Sequence, residues 1–252
     1  MKKGLLILLT FLAVSFGLLY ADNPTGEEIM ERVDKNQFIG SARFESVMVI
    51  TDRGREIRKH MISYTENDGT VTNALSEFTN PRDRGTKYLL MDDELWMFFP
   101  DAEDLVRISG HMLEQNMMGS DFSYQDALES EKLTDLYTFE RIGEDTYEGR
   151  SVYVVEAFPA PDSSPAYYHR RFLVDLERFV ILKDEMYARG GRLLKEMITT
   201  RVEEVQEGRW MPMEMVMEDK LKRDSQTRLE IIEIDLDYEI PEGLMSLRSL
   251  QR

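Results

Sequence analysis

The sequence predicts a mainly β fold, in which an antiparallel meander curls into a barrel or half-barrel with a few short helices. Many short segments alternate apolar and polar residues with the period of half-buried strands. Turn signals separate neighbouring segments, such as Asp52-Arg53-Gly54 and Gly190-Gly191. Because no helix-length segments alternate with the strands, parallel βαβ units are not expected. Short strands at this spacing, joined by tight turns, are typical of antiparallel barrels.

The predicted strands occupy most of the chain. In the first of them Phe44 and Met48 share one face, while Arg43 lies on the opposite face. The full series of predicted strands is 41–51, 55–65, 70–79, 86–91, 94–99, 104–109, 138–142, 151–158, 169–175, 179–187, 192–205, 209–219 and 227–238.

Helices are predicted in two places. Thr25-Gly26-Glu27-Glu28 is a capping box, in which the Thr25 hydroxyl and the Glu28 carboxylate satisfy first-turn amides. Apolar residues follow at helical spacing, and Gly40 ends this first helix. The strand alternation fails between residues 110 and 135, where Ser123-Tyr124-Gln125-Asp126 resembles another helix start. We therefore expect one or two short helices inserted between the strands.

The N-terminus has the layout of a secretory signal peptide. Lys2 and Lys3 form a basic start, residues 4–19 are mainly apolar, and a polar stretch follows Ala21. The apolar stretch is shorter than the roughly 20 residues that a spanning helix needs, which favours cleavage after Ala21 over an uncleaved anchor. We expect cleavage to leave a single exported domain, residues 22–252. Because the removed segment, 1–21, carries two lysines and no acidic residue, the formal net charge changes from −17 to −19.

Composition and charge exclude several classes of function. A net charge of −17 argues against nucleic acid and anionic membrane surfaces as partners. The chain has no cysteine, so thiol chemistry and cysteine metal sites are excluded. His60, His111 and His169 are isolated from one another, and Ser120 does not lie in a GxSxG motif. We therefore expect no enzymatic activity, no metal and no cofactor.

Apolar residues are concentrated in three places. Leu95-Trp96-Met97-Phe98-Phe99 is a compact run that stops at Pro100, and Met117-Met118-Gly119-Ser120-Asp121-Phe122 is rich in methionine. Four further methionines recur at period two and share one face of a strand over about 20 Å; they are Met211, Met213, Met215 and Met217. Methionine adapts to irregular apolar partners. This stripe either lines a ligand cavity or forms an ordinary barrel core.

These motifs together resemble the LolA-like family, the periplasmic carriers that sort lipoproteins to the outer membrane. A short amphipathic helix is followed by Phe44-x-x-x-Met48, by Pro81 before a strand, and by Leu95-Trp96-x-Phe98-x-Pro100. Further segments are similar to one branch of the family; they are 117–126, Val174-Asp175, Gly191-x-Leu193-Leu194-Lys195, Trp210-x-Pro212 and 240–244. In LolA an arginine before the strand-preceding proline helps to latch the lid. Asn80 stands there in this chain, so the resemblance does not carry that latch over.

The resemblance implies a mainly β (α+β) fold, an incompletely closed antiparallel β-barrel with short helices covering the concave face. It implies a carrier that shields the acyl chains of a lipoprotein or lipid between sheet and helical lid during transfer to the outer membrane. An inner-membrane transporter would be a partner, and we expect a monomer. The alternative is a binding or regulatory module of the envelope that contacts a membrane-bound partner and transports nothing. The candidate cavity residues are Phe44, Met48, Trp96, Phe98, Met117, Met118, Phe122, Met211, Met213, Met215 and Met217.

Overall fold

The computed structural model of the chain describes residues 23–69, 71–130 and 133–251. The expected signal peptide, residues 1–21, lies outside these ranges. Within them, no helix is both long enough and apolar enough to cross a membrane.

Among the described residues, thirteen strands form where the alternation predicts them. They are β1 Ser41–Asp52, β2 Arg55–Asn67, β3 Thr72–Phe78, β4 Lys87–Met91, β5 Glu94–Phe99, β6 Asp104–Ile108, β7 Tyr137–Tyr147, β8 Arg150–Pro159, β9 His169–Asp175, β10 Ile181–Tyr187, β11 Leu193–Gln206, β12 Arg209–Asp219 and β13 Ser225–Leu236. They make one antiparallel sheet in the order β6-β5-β4-β3-β2-β1-β13-β12-β11-β10-β9-β8-β7. In the described part of the chain the end strands β6 and β7 do not pair with each other. The predicted mainly β, incompletely closed architecture is therefore confirmed.

The first helix, α1 (Gly26–Gln37), packs on the β7 end of the sheet and begins at the predicted capping box. Its buried stripe, which is Ile29, Met30 and Val33, lies against side chains of β7 to β10. Gly26 permits the close approach. A Cβ atom at Gly26 would lie 2.7 Å from the carbonyl carbon and oxygen of Phe139 on β7. Only glycine fits at this contact without a shift of the backbone.

The segment between β6 and β7, residues 110–136, is the helical insert. It contains two single turns of 3-10 helix, Gly110–Met112 and Met117–Gly119, followed by the short helices α2 (Tyr124–Glu129) and α3 (Leu133–Leu136). The Ser123 hydroxyl accepts a hydrogen bond from the Asp126 amide and so begins α2. The prediction of one or two short helices here is confirmed, and the 3-10 turns are additional.

The C-terminal segment, residues 237–251, packs on the outer face of β3, β4 and β5 and contains a short helix, α4 (Leu247–Leu250). Leu250 is fully buried in a cluster with Leu75 and Leu89 of β3 and β4. The strand pattern does not predict α4. Its burial means that the first strands of the sheet carry apolar side chains on both faces.

Candidate functional site

A cavity of about 500 Å³ lies between the sheet and the helical insert. Side chains of β1 to β5 and of β9 to β13 form its walls, and the insert covers it. No described residue of β7 or β8 lines the cavity, because α1 fills that end of the sheet. The volume falls within the roughly 300–1,000 Å³ of small-molecule pockets.

The lining of the cavity is mainly apolar and rich in methionine. Eight of the 16 methionines of the chain contribute to it; they are Met48, Met61, Met117, Met186, Met197, Met211, Met215 and Met217. A thioether side chain is unbranched and polarisable, so it adapts to irregular apolar partners. The lining therefore suits a flexible hydrocarbon better than a rigid ligand that forms many hydrogen bonds.

A tight turn in the helical insert brings Met117 and Phe122 together on the roof of the cavity. The Met117 amide donates to the Phe122 carbonyl at 2.8 Å, and the Ser120 amide donates to the Met117 carbonyl at 2.9 Å. The corner of the turn is Met118 and Gly119, with φ values of +53° and +78°. Met118 packs into the apolar cluster beneath the insert and does not line the cavity, which corrects its predicted placement. Its positive φ turns it away from the direction of Met117.

Asp126 ties the helical insert to the opposite half of the sheet. Its carboxylate lies 2.6 Å from Lys195 Nζ on β11 and accepts a hydrogen bond from the Tyr167 hydroxyl at 2.5 Å. Burial raises the pKa of Asp126, but the charge of Lys195 and these hydrogen bonds outweigh burial and hold the pKa below its ordinary value of 3.8. Asp126 is therefore ionised and paired at neutral pH.

Glu129 and an ion pair between Arg170 and Asp184 complete the polar end of the cavity. The Glu129 carboxylate accepts the Ala166 amide at 2.9 Å, and burial raises the pKa of Glu129 above its ordinary value of 4.5. Arg170 on β9 donates through Nε to Asp184 on β10 at 3.3 Å, and its Nη2 makes a second bond to the same carboxylate. Protein partners thus satisfy these buried charges, and burial without partners would be costly.

A second acidic residue, Asp121, anchors the other side of the insert. Its fully buried carboxylate accepts hydrogen bonds from the hydroxyls of Ser225 at 2.6 Å and Thr227 at 2.8 Å. Lys222 Nζ lies 3.0 Å from the same carboxylate. The insert is therefore held to β13 by Asp121 and to β11 by Asp126.

Comparison with known proteins places this architecture in a family. A family model described as "-like: Uncharacterized protein" matches residues 70–252. The chain belongs to that family. A search of curated protein sequences finds no match.

Solved structures share the fold over nearly the whole chain. A DUF1329 family protein from Desulfovibrio piger is 24% identical with a TM-score of 0.82, covering 89% of this chain and 97% of its own. An outer membrane lipoprotein-sorting protein domain from Vibrio parahaemolyticus is 23% identical with a TM-score of 0.79, covering 90% and 98%. A LolA superfamily protein from Nitrosomonas europaea is 21% identical with a TM-score of 0.72, covering 90% and 99%. The chain has a LolA-like fold, as the sequence motifs predict.

Seven of the eleven candidate residues meet around the cavity. They are Phe44, Met48, Met117, Phe122, Met211, Met215 and Met217. They come from β1, the helical insert and β12, so the insert faces the sheet across the cavity.

Trp96 and Phe98 lie on the outer face of β5, which corrects their predicted placement on the cavity wall. Both pack in the cluster that the C-terminal segment covers. Their neighbours Leu95 and Met97 point the other way, because successive strand residues face opposite sides of a sheet. Leu95 lines the cavity, and Met97 packs beneath the insert. Since every residue of this run is apolar, alternation alone does not select the inner face.

Met213 breaks the predicted methionine stripe because β12 bulges there. Arg201 of β11 pairs with Glu214, and Val202 pairs with Pro212, which leaves Met213 as the extra residue. A bulge interrupts the regular alternation of a strand. Met213 is buried, with 4% of its surface exposed, but it does not line the cavity. Its predicted placement beside the other three methionines is thereby corrected.

The anchors of the insert carry no clear signal in the sequence. Asp126 and Lys195 are 69 positions apart, and only the helix-start motif at Ser123 singles out Asp126. Asn80, which stands where LolA has its latching arginine, donates to Asp83 at 2.7 Å within a turn. In this chain acidic residues of the insert form the observed anchors instead.

The histidines are dispersed in the structure. His169 stacks between the rings of Phe158 and Tyr187, with centroid distances of 4.8 and 5.0 Å. Across residues 23–69, 71–130 and 133–251, no group of three or more His, Asp or Glu side chains is arranged to hold a metal ion.

Proposed function

We propose that this protein is a soluble periplasmic carrier that shields the acyl chain of a lipoprotein or lipid on its way to the outer membrane. The observation that carries the proposal is the cavity of about 500 Å³, lined by methionines and covered by the helical insert. Each methylene group exposed to water costs about 0.8 kcal/mol, so an acylated cargo needs such a cavity in transit. On this proposal an inner-membrane transporter supplies the cargo to a monomeric carrier.

The anchoring of the insert supports loading and release. Asp121 and Asp126 hold it through polar contacts with hydroxyls and lysines. Contacts with water replace these contacts when the insert lifts, so each of these charge-assisted contacts contributes only about 1.5–3 kcal/mol net. The insert can therefore move without disrupting the strand pairing of the sheet.

Lipid extraction and titration test the proposal. Protein purified from the periplasm is extracted with organic solvent, and the extract is examined by mass spectrometry. The delipidated protein is then titrated with a fluorescent lysophosphatidylcholine below its micelle concentration. We expect co-purified lipid and saturable binding that unlabelled lysophosphatidylcholine displaces. Absence of both co-purified lipid and saturable binding would refute the carrier function.

Replacing either of two alanines by phenylalanine tests whether the probe binds in the cavity. Ala74 of β3 lines the cavity, whereas Ala102 is exposed in the turn before β6. Ala74→Phe fills part of the cavity and should weaken probe binding at least tenfold with little change in melting temperature. Ala102→Phe adds the same side chain in solvent and should bind like the parent protein. Equal affinities for the two variants would place the probe outside the cavity.

A further inference from the structure

The sheet is weakly joined between β12 and β13. These strands pair with each other only between Glu214–Met217 and Thr227–Glu230. The earlier part of β12 pairs only with β11, and the later part of β13 pairs only with β1, as far as Leu236. We call the gap between the unpaired stretches, 209–213 of β12 and 231–236 of β13, the seam.

Three bulges coincide where the strands part. The extra residues are Thr200 of β11, Met213 of β12 and Ile232 of β13. A bulge bends its strand and increases the local twist. Pro212, the next residue along the parting stretch of β12, has no amide hydrogen to donate across the gap. The local sequence thus disfavours pairing at the seam.

The cavity extends to the seam. Met211 and Pro212 of β12 both line it, as does Ile231 of β13. These three residues belong to the unpaired stretches on the two sides of the gap, so the cavity reaches both edges of the seam. Gln37 and Ile39, at the end of α1, complete this side of the lining.

Arg201 bridges the seam with its side chain. From β11 its Nη2 reaches past β12 and donates to the carbonyl of Met213 at 3.4 Å and of Ile231 at 3.0 Å. The guanidinium also lies 3.5 Å from Glu230 on β13 and pairs with Glu203. Side-chain hydrogen bonds therefore connect the two strands where the backbone ladder is missing.

We propose that the seam is a lateral portal, through which an acyl chain enters the cavity while its polar head group stays in solvent, and that Arg201 holds the portal closed. The inference rests on the proposed function, since it assigns a route to the same cavity. Opening at the seam breaks the contacts of one side chain, whereas opening elsewhere in the sheet breaks a backbone ladder. The helical insert can stay anchored during this entry.

Blocking the seam with a bulky label tests the portal. Because the chain has no cysteine, Ile232→Cys and Ile142→Cys can each be labelled at one site with a bulky maleimide. Ile232 at the seam is 58% exposed, and Ile142 on the remote edge strand β7 is 53% exposed. Uptake of fluorescent lysophosphatidylcholine is followed by stopped-flow. We expect labelling at Ile232 to slow uptake at least tenfold, and labelling at Ile142 to leave the rate unchanged.

The outcomes separate the portal from the function. If both labelled variants take up the probe as fast as the unlabelled protein, the portal is overturned and the carrier function stands. The acyl chain would then enter beneath the insert and not through the seam. If the unlabelled parent binds no probe and also carries no co-purified lipid, the carrier function and the portal are overturned together.

A second pair of variants tests the role of Arg201. Arg201→Met keeps an unbranched apolar stem but removes the guanidinium donors, so uptake and release should both become at least threefold faster. The control is Arg107→Met, since Arg107 pairs with Glu94 on the exposed surface of β5 and β6. Unchanged rates in Arg201→Met, with an unchanged melting temperature, would overturn the role of Arg201 in closing the seam.

Discussion

Replacing Met215 by aspartate should strongly weaken lipid binding at neutral pH without unfolding the protein. Met215 is partly buried and lines the cavity. In the unloaded protein an aspartate there can keep some contact with water. When an acyl chain packs against it, the carboxylate loses that water and must take up a proton to avoid an unpaired charge in apolar surroundings.

The size of this effect follows from the cost of protonation. The usual pKa of an aspartate is about 3.9, roughly three units below neutral pH, and each unit corresponds to about 1.36 kcal/mol. Met215→Asp should therefore weaken binding by about 4 kcal/mol, or roughly a thousandfold, at neutral pH. Because the penalty is a proton uptake, the affinity should recover about tenfold for each unit of pH lowered towards about 4.

Titration with fluorescent lysophosphatidylcholine at several pH values measures this, since its head group does not titrate in that range. Met215→Asn is the neutral control, and its affinity should not depend on pH. Met213→Asp is the matched stability control. Met213 is buried and does not line the cavity. An aspartate at position 213 should therefore lower the melting temperature, whereas an aspartate at position 215 should lower the affinity for the probe. Parental affinity in a folded Met215→Asp protein at neutral pH would refute the reasoning.

Three further predictions concern stability. Asp126→Asn leaves Lys195 without its partner and should cost roughly 3 kcal/mol in chemical denaturation, with faster hydrogen exchange in the insert. Because the pKa of Asp126 is lowered in the folded state, this contribution is present above pH 3.8 and is lost as the pH falls further. The free energies of unfolding of variant and parent should therefore converge in acid. A constant difference between them down to the lowest pH would contradict this prediction. Gly26→Ala forces a Cβ against the β7 backbone and should cost about 1–3 kcal/mol, seen as a lower melting temperature. Arg170→Met leaves Asp184 buried without its ion pair and should cost about 3–5 kcal/mol, and an unchanged urea midpoint would show that the pair is not needed.

The strands of this fold are readable from the sequence because each alternation reflects one buried face. In the run from Leu95 to Phe99, however, alternation does not predict which face points into the cavity. Both of its faces are apolar, and only the C-terminal segment on the outer side shows that Trp96 faces outward. The bulge at Met213 is equally unpredictable from the sequence, because a bulge depends on how two strands pair and not on the residue pattern of either strand.

The polar part of the site was less predictable than the apolar part. The methionines of β12 stand out at period two within a single segment. Asp126 and Lys195 become partners only when the insert folds back onto β11. In a chain with 48 acidic residues, neither composition nor spacing distinguishes the carboxylate that anchors the insert from those on the solvated surface.

The most direct test of the account is to locate a bound acyl chain by NMR of the methionine methyl groups. A lysophosphatidylcholine that carries a spin label on its acyl chain broadens the signals of methyl groups near that chain. The account predicts strong broadening of Met48, Met215 and Met217 in the cavity, and little at Met245, which belongs to the C-terminal segment on the outer face. Broadening at Met245 with sharp cavity signals would contradict the claim that this cavity holds lipid.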